Sequence, residues 1–170
     1  HRLYPAGDAR FQSGADLDSE LPAAYRYQFN PGKGSAAGSM AIHEAGKPGR
    51  LARKVVLPEV VANFKSGDTE VFGKLTLPAV GTVKGKRAVK TVIFVHGSDQ
   101  VASVDQEWLP HLLAANGIAT FVFDKRGTGC SKGQYVQHFD VLSNDVLAAV
   151  AWLKARPEVD ANAIGLTGFS

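Results

Sequence analysis

The pattern of apolar and polar positions divides the chain into two textures. Residues 1–20 are irregular and turn-rich, residues 24–29 and 40–44 alternate like short strands, and residues 51–57 form a third short stretch. Pro31-Gly32-Lys33-Gly34-Ser35 and Gly46-Lys47-Pro48-Gly49 supply the loops between them. Three short strands without a helix bury too little apolar surface to fold alone, so this segment is expected to pack on something else.

From Val60 onward the periodic runs lengthen. Residues 60–65 and 69–77 alternate on either side of Ser66-Gly67-Asp68, which reads as a β-hairpin ended by Pro78. Residues 88–95 (AVKTVIFV) and 118–123 (IATFVF) are nearly continuous apolar runs, as expected of strands covered on both faces. Between them, Ser103 and Gln106 have capping-box spacing, which opens a helix that Pro110 kinks and that ends at Asn116-Gly117. Leu142, Val146, Val150 and Leu153 recur at three- or four-residue steps on a second helix ended by Pro157. Residues 164–167 form one more short strand. The order is an antiparallel hairpin followed by β-α-β-α-β, which implies an α/β fold with a parallel sheet, right-handed crossovers and helices on both faces. The expected organisation is a β-rich segment over residues 1–57 and an α/β domain over residues 58–170.

Composition narrows the function classes. Of 170 residues 45% are hydrophobic and the net charge is +3, which excludes a disordered chain. No apolar run approaches the ~18–20 residues of a membrane span. The single cysteine, Cys130, excludes an internal disulfide and a Cys-cluster zinc site, and neither a metal nor an organic cofactor is expected. Basic residues concentrate between Lys47 and Lys90, but there they alternate with apolar residues along strands and turns. That is a solvated sheet face rather than a phosphate-tracking stripe, so no nucleic-acid partner is expected.

In parallel sheets chemistry gathers in the loops that leave the carboxyl ends of the strands. The last strand runs into Gly168-Phe169-Ser170, the first half of a Gly-x-Ser-x-Gly elbow, in which a tight strand-to-helix turn projects the serine hydroxyl. The first loop, His96-Gly97-Ser98-Asp99, has the small residues that let a backbone N–H approach a developing oxyanion. His96 lies before the serine and is read as shaping this loop rather than as a base. The middle loop, Asp124-Lys125-Arg126-Gly127-Thr128-Gly129, is one residue off a dinucleotide fingerprint. It reads as a structural turn made by Gly127 and Gly129 and pinned by hydrogen bonds or an ion pair of Asp124 and Arg126.

With VIFVHGS, GIATFVFDKRGTGCSKG, DVLAAVAWLKARPEVD and IGLTGFS in this order, the chain from Asn63 to Ser170 resembles the N-terminal half of an α/β-hydrolase. It is similar to bacterial serine esterases related to dienelactone hydrolases and prolyl-oligopeptidase-type peptidases. The resemblance implies that Ser170 is the nucleophile and that the Ser98 N–H forms one half of the oxyanion hole. Asp99 departs from the glycine that relatives often carry, and Phe169 stands where many have histidine.

All five histidines (His1, His43, His96, His111 and His138) precede Ser170, whereas this fold supplies serine, acid and histidine in that order. The sequence is therefore expected to stop at the nucleophile, with a C-terminal remainder of the same enzyme carrying the catalytic Asp or Glu and His. The expected activity is cleavage of a small carboxylic ester through an acyl-enzyme. A serine peptidase of the same fold and a non-catalytic α/β binding module are the alternatives. Residues 1–57 resemble the final strands of a lipocalin-like domain found in front of some bacterial hydrolases. Together with the start at His1, this favours a bacterial periplasmic or secreted protein over a cytoplasmic one.

Overall fold

The computed structural model describes residues 4–5, 9–13, 25–32, 37–79, 88–104 and 108–168, and the chain divides into two units, His1–Val55 and Val56–Ser170. In the first unit, β1 (Tyr4–Pro5), β2 (Arg10–Ser13), β3 (Tyr25–Pro31), β4 (Ala37–Glu44) and β5 (Arg50–Arg53) form an antiparallel sheet in sequence order. Residues 1–20 are thus not wholly irregular, because β1 and β2 are recruited by backbone pairing, with Arg10–Ser13 set against β3. Strands joined through backbone N–H and C=O groups need no apolar alternation of their own, which is why the pattern missed them. The last strand stops at Arg53 rather than at residue 57. Residues 33–35 of the expected loop before β4 lie outside the described residues.

The second unit follows the expected order with shifted boundaries. β6 (Glu59–Ser66) and β7 (Thr69–Thr76) form the hairpin. They are followed by β8 (Val89–Val95), α1 (Trp108–Ala115), β9 (Ala119–Phe123), α2 (Phe139–Lys154) and β10 (Val159–Gly168). The sheet order is β10-β8-β9-β7-β6, with β8 parallel to both its neighbours and β9 antiparallel to β7. β10 is longer than the four residues expected, because Val159 already pairs with Val89 before a register irregularity leads into Ile164.

The central strand β9 is buried at all five positions, as its unbroken apolar run requires. Alternation separates its two faces. Thr120 donates through its hydroxyl to the Pro110 carbonyl of α1, whereas Phe121 stacks on Trp152 of α2 at 5.4 Å, so the two helices lie on opposite faces of the sheet. The α2 side holds the larger core, built from Phe64, Val71, Leu75, Ile93, Phe121, Phe123, Ala149 and Leu153.

The structure refines two helix expectations. Helix α1 is described from Trp108, and residues 105–107, with Gln106 of the expected capping box, lie outside the described residues. The N–H groups of Ser103 and Val104 donate to the buried Asp124 carboxylate. In the helix as described Pro110 falls in the first turn, where the amides have no intrahelical partner anyway. At the other end, Gly117 N–H to Ala114 and Ile118 N–H to Leu113 close the helix in a Schellman motif. On α2 the fully buried stripe is Asp145, Ala149 and Leu153, while Leu142, Val146 and Val150 are half-buried beside it. The stripe centres on a carboxylate because Asp145 has a cationic partner. Among the described residues no helix is long and apolar enough to cross a membrane.

Candidate functional site

Because β8, β9 and β10 are parallel, their carboxyl ends meet at one edge of the sheet. Register fixes how closely: Gly168 pairs with Val95, and Phe94 with Val122. The loops after β8 and β9 and the end of β10 therefore leave the sheet level with one another. Beneath them lies a cavity of about 530 Å³. It is lined by Val95, His96, Gly97 and Ser98 from the first loop, Phe123 and Lys125 from the second, and Gln137, Phe139, Leu142, Ser143 and Val146 at the start of α2. Phe169 and Ser170 lie outside the described residues.

The loop after β9 is tied down by many buried bonds. The Asp124 carboxylate is buried and accepts three backbone N–H groups, from Ser103 at 2.7 Å, Val104 at 3.1 Å and Cys130 at 3.0 Å. Its carbonyl accepts the Ser131 hydroxyl at 2.6 Å, and that hydroxyl in turn accepts the Phe72 N–H at 2.8 Å. Arg126 forms a two-pronged ion pair with the fully buried Asp145, at 2.9 and 2.5 Å, and this contact holds its guanidinium above the ordinary arginine range. Gly127 and Gly129 have φ of +70° and +50°. A Cβ at Gly127 would collide with the backbone of Tyr135, and one at Gly129 with the Asp124 carboxylate, so neither position tolerates a side chain. Asp124 and Arg126 are thus fully engaged in building the turn, and neither offers a free charge to a ligand. Cys130 is exposed, with its N–H committed to Asp124.

The loop after β8 is different. Within residues 96–99 no backbone hydrogen bond to described residues is formed through an N–H, and the Ser98 N–H is left without an acceptor there. Asp99 is exposed. Both ring nitrogens of His96 are shielded from water and lack a well-formed hydrogen bond among the described residues. Burial pushes the imidazole pKa below its ordinary value, and the nearby Lys125 charge adds to this; Asp124, the Gly97 backbone and Asp99 oppose the shift without reversing it. His96 is therefore a neutral ring at pH 7, half-buried against the cavity.

Three residues without an assigned role in the sequence reading hold this loop. Lys125 donates to the Gly97 carbonyl at 2.6 Å, Tyr135 donates to the Ser98 carbonyl, and Gln137 donates to the same oxygen at 3.2 Å. Asp145 was missed as well, although its place one turn before Ala149 on the buried face of α2 was a usable signal: a carboxylate there requires a cation opposite it.

The chain has relatives among known proteins. It is 33% identical over 81 residues to the thiohydrolase aneE of Aspergillus aculeatus, a match that covers 46% of this chain and 26% of that protein. A hypothetical protein of Pseudomonas aeruginosa superposes with a TM-score of 0.53 at 29% identity, over 66% of this chain and 35% of the other. An esterase of Pyrococcus furiosus gives 0.50 at 25% identity (68% and 41%), and a dienelactone hydrolase of Anabaena variabilis 0.52 at 20% (67% and 52%), the last a likeness of fold alone. The chain thus spans about a quarter of its curated relative and between about a third and a half of these structures. The sequence profile of the X-Pro dipeptidyl-peptidase (S15) family matches residues 74–170, more than half of the chain, from the hairpin through all three parallel strands and their loops. With the sheet order, the helix on each face and the three loops at one edge, this establishes that the chain belongs to the S15 family of the α/β-hydrolase superfamily.

Proposed function

We propose that this chain carries the nucleophile and half of the oxyanion hole of a serine hydrolase that cleaves a small carboxylic ester. Ser170 attacks the acyl carbonyl and an acyl-enzyme forms; the Ser98 N–H receives the developing oxyanion. The observation that carries this reading is the Ser98 N–H, which has no acceptor among the described residues, in a cavity-lining loop at the same sheet edge to which β10 brings Gly168, two residues before Ser170. Among the described histidines of the second unit, His111 faces Glu59 at 3.6 Å on α1 and His138 is exposed beside Asp140, so neither suits the role of base. His96 is part of the oxyanion loop itself, and burial pushes its imidazole pKa down. The base and its carboxylate come from sequence following Ser170. No step needs a metal or an organic cofactor.

A relative named as a thiohydrolase and a structural neighbour named as an esterase favour an ester over a peptide. The second reading, a peptidase, has the S15 profile in its favour. A fluorophosphonate probe applied to the full-length protein is expected to label Ser170, and Ser170→Ala to abolish labelling and lower hydrolysis of p-nitrophenyl acetate by at least ~10³-fold. Absence of labelling sinks the hydrolase reading in favour of a binding module. Turnover of an Xaa-Pro p-nitroanilide well above that of the ester selects the peptidase.

A further inference from the structure

Lys125 is only 3% exposed, lines the cavity, and has no carboxylate partner among the described residues. Among the described residues its ammonium has one hydrogen-bond acceptor, the Gly97 carbonyl at 2.6 Å, and it lies 5.4 Å from the centre of the Tyr135 ring. Burying a lysine without a counter-ion is costly, and a methionine would fill the same space without that cost. Stability therefore does not explain the residue, whereas the oxygen it holds does.

In a trans peptide the C=O of one residue and the N–H of the next lie in one plane and point in opposite directions. No cis peptide occurs among the described residues. Drawing the Gly97 oxygen onto Lys125 therefore turns the Ser98 N–H away from Lys125. A charged donor on the oxygen also draws electron density from the amide and makes its N–H a stronger donor. The next peptide is fixed as well: Tyr135 and Gln137 both donate to the Ser98 carbonyl, and Gln137 also donates to the Tyr135 oxygen at 3.1 Å. The planes on both sides of the Ser98 Cα are thus held by side chains from the segment between β9 and α2.

We infer that Lys125, supported by Tyr135 and Gln137, is a positioning residue that aims and polarises the Ser98 N–H toward the substrate oxyanion. This rests on the esterase reading above. A donor that matters only once the carbonyl oxygen gains charge acts on kcat and leaves KM unmoved.

The test uses the full-length protein and p-nitrophenyl acetate, with fluorophosphonate labelling of the unaltered protein run first. If that protein neither labels nor turns over, the hydrolase reading fails, and the positioning role with it. If it is active, Lys125→Met is expected to lower kcat ~10–100-fold with KM within about threefold, the range for impairing one oxyanion donor. Lys125→Arg, which keeps a cation at that depth, is expected to recover at least part of the loss. The double variant Tyr135→Phe, Gln137→Leu is expected to lower kcat several-fold, again with KM unmoved. Should Lys125→Met lose its near-ultraviolet circular dichroism, the double variant decides, because Gln137 is exposed and Tyr135 loses only its hydroxyl. In an active enzyme, a kcat within twofold of the unaltered protein in a folded Lys125→Met, or in the double variant where it must decide, overturns the proposal. So does a rise in KM at constant kcat.

Discussion

The loops that leave β8 and β9 emerge from neighbouring strands and are built in opposite ways. The β9 loop is fixed by many buried bonds: Asp124 on three amides, Arg126 on Asp145 of α2, and Gly127 and Gly129 in conformations that side chains rarely adopt. The β8 loop has almost no bonds of its own and is held from outside, by side chains borrowed from the segment that follows β9. The difference explains why Asp124 and Arg126, in the charged, glycine-rich stretch that looks most like a binding motif, are spent on structure. Their polar groups are consumed in making a rigid frame, and the frame leaves a neighbouring backbone amide unspent. A loop tied by many buried bonds resists change, whereas one held by a few side chains can lose its alignment without unfolding the protein.

The sharpest way to break the comparison is Asp145→Ala. It strands the Arg126 guanidinium, which is only 16% exposed, and removing one partner of such a buried pair costs about 3–5 kcal/mol. Urea unfolding measures this directly, and a loss below about 1 kcal/mol means the β9 loop is not anchored there. Gly127→Ala comes next, at about 2–3 kcal/mol, because a Cβ must enter the Tyr135 backbone from a φ of +70°. The same displacement of Tyr135 is expected to loosen Ser98, so this variant should lose activity even where it is folded.

The smallest effect belongs to the β8 loop and appears as a pH dependence. Burial lowers the folded pKa of His96 below the ordinary 6.5, so in the window below 6.5 the unfolded chain binds more protons than the folded one. Its contribution to stability is complete above that value and is lost as the pH falls through the folded pKa. The unfolding midpoint should therefore drop between pH 7.5 and 5.5, and His96→Asn should make that drop shallower. An unchanged slope would mean that His96 is solvated, and the contrast between the two loops would weaken.

Much of the frame was legible because it is written in side chains. The unbroken run IATFVF announced a strand buried on both faces, and the three parallel strands followed from the order of elements. The engagement of the Ser103 and Val104 amides was illegible because their acceptor, Asp124, lies about twenty residues away and only folding brings it near. The hold on the β8 loop was illegible for a related reason. Lys125, Tyr135 and Gln137 act on the carbonyls of Gly97 and Ser98, and no residue type marks a carbonyl that will be needed as an acceptor. The role of Ser170 rested on motif and order alone, since that residue lies outside the described part of the structure.

The stacking of Trp152 on Phe121 has a practical consequence. The chain contains two tryptophans, and Trp108 is 73% exposed, so its emission is already that of an indole in water. Trp152 is sandwiched between Phe121 and the Arg156 guanidinium, whose carbon lies 4.0 Å from the ring centre. Intrinsic fluorescence is therefore a built-in gauge of whether α2 is seated: departure of that helix shifts one emitter to the red, while the other supplies a constant background.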